Sequence, residues 1–166
     1  LLHGDMTDEE IHSLYCHPKL KALIALPHGE GFGLPIFEAA YSGMPVVATG
    51  WSGQLDYLID ENKKEQFYNV SYDIQPIQEK AVWDGVLMKE AMWAYAKESS
   101  AKTQMRRCYE EVIENTGLAA KSCAYAEQLK ARFSQEKMFS LFTEAVHQQD
   151  PEIDAWLAKL EAIEEL

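Results

Sequence analysis

The chain has 166 residues, 47% of them hydrophobic and 25% charged, the balance of a folded globular protein with a real core. Its 27 acids against 15 bases give a net charge of −12, and no basic cluster exceeds the pairs Lys63-Lys64 and Arg106-Arg107, which argues against nucleic acid or an anionic membrane as partner. No apolar run approaches the roughly 20 residues of a membrane span, and the first residues do not read as a signal peptide.

Leu1-Leu2 reads as the end of a strand, with Gly4-Asp5 as its turn. Thr7-Asp8-Glu9-Glu10 is a capping-box signature, so a short helix is expected from Thr7 to about Tyr15. Ala22-Leu23-Ile24-Ala25-Leu26 is short, uncharged and stopped by Pro27, the pattern of a buried strand. The stretch Pro27-His28-Gly29-Glu30-Gly31-Phe32-Gly33 reads as a glycine-rich turn, and Leu34-Pro35 opens a helix that stops near Ser42-Gly43. Met44 to Ala48 is a second buried strand, 49–53 a glycine-containing loop and Gln54 to Ile59 a short helix.

Beyond residue 60 the pattern is less regular. Gln66 to Tyr72 alternates as one strand would, and Met92-Trp93-Ala94 reads as a last short one. The stretch from Phe67 to Trp83 has the look of an insertion. Helices are expected near 98–114, 118–133, 135–148 and 151–165, the last capped by Asp150-Pro151 and carrying an apolar stripe of Ile153, Trp156, Leu157, Leu160 and Ile163. Strands alternating with helices through short loops predict an α/β fold, a Rossmann-like parallel sheet in residues 1–97 followed by a helical segment, 98–166. Cys16, Cys108 and Cys123 form no C-x-x-C pair and no dense framework, so they are expected to be reduced, structurally buried thiols of a cytoplasmic protein.

Ligands of parallel sheets bind at the carboxyl ends of the strands, which singles out the loops at 3–5, 27–33 and 49–53. A glycine turn alone requires only a tight connection. Two carboxylates make this one a candidate site. Glu30 lies within the turn and would accept hydrogen bonds from sugar hydroxyls, while Glu38 lies in the first helical turns, where the helix dipole tolerates an anion. The apolar neighbours of Glu38, from Ile36 to Ala40, predict a largely buried helix and hence a defined partner for that acid. The free N–H groups at the helix start suit phosphate. No Asp-x-Asp pair or histidine cluster suggests a metal.

The run Glu30-Gly31-Phe32-Gly33-Leu34-Pro35-x-x-Glu38-Ala39-x-x-x-Gly43-x-Pro45-Val46-Val47-Ala48 resembles the Glu-x7-Glu signature of retaining glycosyltransferases of the GT-B fold, the glycosyltransferase group 1 family. The likeness is good over residues 1–60 and looser over 92–114. It implies transfer of a sugar from a nucleotide diphosphate sugar to a hydroxyl acceptor, with no metal and no cofactor beyond the donor substrate. Glu30 would stand near the transferred carbon, the N–H groups of Gly31, Phe32, Gly33 and Leu34 would meet the sugar and diphosphate, and Glu38 would hold the ribose hydroxyls. His28 stands where the family often has a serine; a sugar or phosphate contact competes there with a purely structural role.

The resemblance also implies parts that this stretch does not carry. These are the Arg and Lys that neutralise the diphosphate, which would precede residue 1, and an acceptor-binding N-terminal domain. The chain is therefore expected to be the donor-binding part, inactive alone, with apolar surface that would pair copies of it. A nucleotide or nucleotide-sugar binding module without transfer chemistry is the other reading.

Overall fold

The computed structural model describes residues 4–147, so the strand expected at Leu1-Leu2 and the helix expected over 151–165 lie outside the described residues. The chain forms two compact units, Leu1–Lys130 and Ala131–Leu166.

The first unit is α/β. Thr7 caps α1 (Asp8–Tyr15) as expected: its hydroxyl accepts the Glu10 N–H at 3.3 Å, and the Glu10 carboxylate accepts the Thr7 N–H at 2.8 Å. Three strands, β1 (Leu23–Ala25), β2 (Val46–Thr49) and β3 (Tyr68–Val70), form a Rossmann-like parallel sheet in the order β1-β2-β3. Ile24 pairs with Val47, and Ala48 with Asn69. Parallel neighbours need a crossover. Between β1 and β2 it is α2 (Leu34–Tyr41), and between β2 and β3 the chain passes through the one-turn α3 (Leu55–Leu58).

β2 is buried at all four positions, and its run of Val, Val, Ala and Thr suits a strand covered on both faces. Against it α2 buries Ile36, Ala39 and Ala40. On α4 (Glu98–Ile113), Ala101 and Cys108 pack with Val47, Tyr68 and Val70. The Tyr68 hydroxyl donates to Glu111 at 2.9 Å, and Arg107 bonds the other oxygen of that carboxylate at 2.9 Å while lying over the Tyr68 ring. α5 (Leu118–Arg132) buries Tyr125, Ala126 and Leu129, and the Tyr125 hydroxyl donates to the Tyr57 carbonyl at 2.6 Å. The second unit contributes α6 (Gln135–His147), on which Phe139, Phe142 and Val146 are exposed.

Three expectations need correction. The strand at 22–26 is shorter and not buried: β1 has three residues and Ile24 is 52% exposed, because β1 is an edge strand and no described strand pairs with its other side. The single strand over Gln66–Tyr72 is two. The chain breaks at Ser71, whose N–H goes to the Ser100 hydroxyl at 3.0 Å. Beyond that residue β4 (Tyr72–Pro76) leaves the parallel sheet and pairs antiparallel with β5 (Met92–Ala96), longer than the Met92–Ala94 expected. Of the insertion-like stretch Phe67–Trp83, residues 68–70 are thus β3 of the parallel sheet, and the remainder is the outgoing strand of a two-stranded arm and part of its tip, with a 3₁₀ turn at Glu79–Ala81. Finally, among the three cysteines only Cys108 is buried; Cys16, at the C-cap of α1, and Cys123, on α5, are exposed.

Leu58 has no exposed surface, so Leu58→Ala should cost about 2–5 kcal/mol, whereas Ile24→Ala on the open edge should change stability by no more than about 0.5 kcal/mol. Urea unfolding of both variants measures the contrast, and equal costs would contradict the placement of the core.

Candidate functional site

The turn that follows β1 is clamped by the loop that follows β2. The Glu30 N–H donates to the Ser52 hydroxyl at 3.1 Å, that hydroxyl donates to the Glu30 carbonyl at 2.7 Å, and the Gly53 N–H donates to the same carbonyl at 3.0 Å. The approach is so close that a Cβ on Gly53 would fall 1.8 Å from the Gly31 carbonyl oxygen. From α3, the buried Tyr57 hydroxyl lies 2.8 Å from the Phe32 carbonyl and 2.9 Å from that of Gly33, and donates its proton between them.

Gly33 starts α2 from a left-handed conformation with φ 81°, which glycine adopts without steric cost. Its carbonyl accepts the N–H groups of both Ile36 and Phe37 at 3.0 Å, and Pro35 occupies the first helical turn as expected. The Phe32 ring turns inward against Phe37 at 5.0 Å and Tyr57 at 4.9 Å, so its side chain anchors the turn. Among the described residues no acceptor pairs with the N–H of Gly31, Gly33 or Leu34. The turn therefore presents donors at the positive end of a helix.

The two carboxylates occupy different surroundings. Glu30 is exposed at the turn, and its charge adds to burial in pushing the Tyr57 hydroxyl well above the usual tyrosine range. Glu38, in the second turn of α2, is half-buried rather than buried, and it has the partner that its apolar neighbours called for: the Tyr15 hydroxyl donates to it at 3.1 Å. Burial first, then the bond and charge of Glu38, raise Tyr15 to about 12. Glu38 lines a groove of about 350 Å³ between α1 and α2, together with His12, Tyr15, Phe37 and Tyr41. No residue of the glycine turn borders that groove. A cavity of about 380 Å³ opens at the other end of the sheet, beside Lys21, Pro45 and Asn115, and includes none of the expected site residues.

His28 is held by the arm. Its Nδ1 lies 2.8 Å from the Ala94 carbonyl, its own carbonyl accepts the Ala94 N–H at 3.2 Å, and its ring stacks on Trp93 at 4.7 Å, with planes 7° apart. A carbonyl only accepts, so Nδ1 carries a proton, and Nε2 is left as the atom that can meet a ligand.

Residues 1–81 match the family model Glycosyl transferases group 1. The match spans α1, the three parallel strands and the turn, and it supports sugar transfer as the general class of activity. Residues 82–166, including β5 and helices α4 to α6, lie outside it. No curated protein and no solved structure matches the chain. Among the described residues no group of three or more His, Cys, Asp and Glu could hold a metal ion, and no helix is long and apolar enough to cross a membrane.

Sequence reasoning singled out the turn and both acids but missed Ser52, Tyr57 and Tyr15, which hold them in place. The available signal for Ser52 is its place in 49–53, a loop at the carboxyl end of a strand. Nothing in the spacing pointed to the two tyrosines.

Two predictions follow from this geometry. Gly53→Ala must displace the Gly31 carbonyl and should cost about 1–3 kcal/mol in urea unfolding. The Tyr15 value is higher folded than unfolded, so its contribution is full below about pH 10 and disappears as pH rises to about 12. Tyr15→Phe should therefore lose less stability than the parent chain across that interval, and identical losses in a thermal-melting series would contradict this assignment.

Proposed function

We propose that residues 1–97 are the donor-binding part of a retaining glycosyltransferase of the GT-B fold, acting on a nucleotide diphosphate sugar and a hydroxyl acceptor. The observation that carries this reading is the clamped turn. It places an exposed carboxylate, Glu30, beside backbone donors at a helix start and at the carboxyl end of a parallel strand, within the segment that matches the family. Glu30 accepts from the transferred sugar near its reacting carbon. The N–H groups of Gly31, Phe32, Gly33 and Leu34 face the sugar and the diphosphate. Glu38, already oriented by Tyr15, accepts from the ribose hydroxyls, and His28 offers Nε2 to the sugar or a phosphate.

The rate enhancement in this reading comes from positioning and from stabilising the departing diphosphate. It assigns the cations for that diphosphate, and the acceptor domain, to residues beyond these 166, so the chain alone binds the donor without transferring its sugar. It requires no metal and no cofactor. The separation of Glu38's groove from the Glu30 turn favours a second reading, a nucleotide-binding module with no transfer step.

Glu30→Ala and Glu38→Ala separate the two. In the sugar-transferring protein, Glu30→Ala should lower turnover by about a hundredfold or more and leave nucleotide affinity within a few-fold. Glu38→Ala should weaken nucleotide binding by about tenfold or more, measured by calorimetry against UDP, GDP and ADP. Sugar transfer unaffected by Glu30→Ala would overturn the role of that residue. Nucleotide binding without transfer, in a protein that also supplies an acceptor domain, would favour the second reading.

A further inference from the structure

The clamping loop carries one large side chain that neither the sheet nor the clamp requires, Trp51. The loop is held on both sides of it. The Gly50 N–H donates to the Val70 carbonyl at 3.0 Å, and a Cβ on Gly50 would fall 2.0 Å from Asn69 Oδ1. Ser52, which grips Glu30, has a φ of 79°, a left-handed conformation uncommon for a residue with a side chain and costing on the order of 1 kcal/mol. The Trp51 N–H itself donates to the Thr49 carbonyl at 2.8 Å. A loop so constrained presents its tryptophan at a set position.

That position is at the turn. The indole Nε1 lies 3.9 Å from where a side chain on Gly29 would begin, and Gly29 adjoins Glu30. The indole leans on Tyr72, ring centroids 5.3 Å apart and planes at 51°, yet Trp51 stays 40% exposed. Among the described residues no acceptor pairs with its indole N–H. At that exposure the ring keeps accessible surface beyond its contact with Tyr72. An indole wall with a free N–H beside a carboxylate matches the chemistry of a pyranose. The C–H-rich face of the sugar lies on the ring, its hydroxyls donate to Glu30, and the N–H donates to a hydroxyl oxygen.

We propose that Trp51 is a specificity-determining contact on which a pyranose ring stacks at the Glu30 turn. This rests on the proposed function and deepens it, by naming the ring that the turn receives and the residue that selects it.

Saturation-transfer NMR of the full chain tests it, with UDP-, GDP- and ADP-glucose, the free nucleotides, and methyl α-glucopyranoside as probes. Sugar ring C–H protons should take up saturation; Trp51→Leu should reduce that at least fivefold, Trp51→Phe should keep at least half, and base protons should be unchanged in both. Ring signals from a nucleotide sugar alone assign the ring to the donor, and signals from the free glycoside as well assign it to an acceptor; either supports the proposal. Ring signals unchanged by Trp51→Leu overturn it. The parent chain gives a second reading that needs no variant: a nuclear Overhauser contact between the Trp51 indole N–H and the bound sugar supports the stack, and its absence with ligand bound overturns it. Loss of all nucleotide signals overturns the proposed function, while glycoside contacts to Trp51 still decide this inference, and no contact from any probe overturns both.

Discussion

The site depends on one contact, the grip of the 49–53 loop on the backbone of Glu30. Three hydrogen bonds, two through the Ser52 hydroxyl and one from the Gly53 N–H, converge on the backbone of a single residue. They require Gly53 to have no side chain and Ser52 to adopt a left-handed backbone. Both are costs that a connecting loop would not ordinarily bear. In return, an exposed turn between a three-residue edge strand and a helix acquires a defined shape. Tyr57 extends the same grip to the Phe32 and Gly33 carbonyls, so the turn is held by its backbone on two sides while the Glu30 residue stays exposed.

The rigidity of the clamp comes from the sheet beneath it. The loop leaves β2, the strand buried along its whole length, and Gly50 is tied to β3 through Val70. α4 locks β3 through the arrangement of Tyr68, Glu111 and Arg107, and α5 reaches the Tyr57 backbone with the Tyr125 hydroxyl. Elements well away from the turn thus fix the residues that shape it. The electrostatics are divided along the same lines. Backbone donors and a helix start supply the positive end, while Glu30 and Glu38 supply acceptors on either side of α2, the one exposed and the other paired to a tyrosine.

Much of the first unit was legible in local pattern. The capping box at Thr7, the proline in the first turn of α2 and the glycine stop after it are short-range signals, and each reflects a backbone requirement met within a few residues. β2 could be read because a strand buried on both faces is apolar throughout. The arm was not legible. Residues 66–72 alternate as one strand would, and only the capture of Ser71 by Ser100, 29 residues later, divides them between two sheets. The exposure of Ile24 was equally hidden, because an apolar run does not reveal which of its edges another strand will cover.

The amino-acid sequence by itself determined the α/β alternation, the glycine turn at a strand end and the pair of carboxylates eight residues apart, because each is written in contiguous residues whose spacing matches a helix, a strand or a turn. The tertiary structure alone decided which side chains surround those carboxylates. Tyr15 reaches Glu38 from 23 residues away, Ser52 reaches Glu30 from 22, and His28 is taken up by Ala94 from 66. Contacts at such separations follow from the packing of whole elements, and local periodicity carries no record of them. The tertiary structure also decided that Glu38 lines a groove with His12 and Tyr15 of α1, bordered by no residue of the glycine turn.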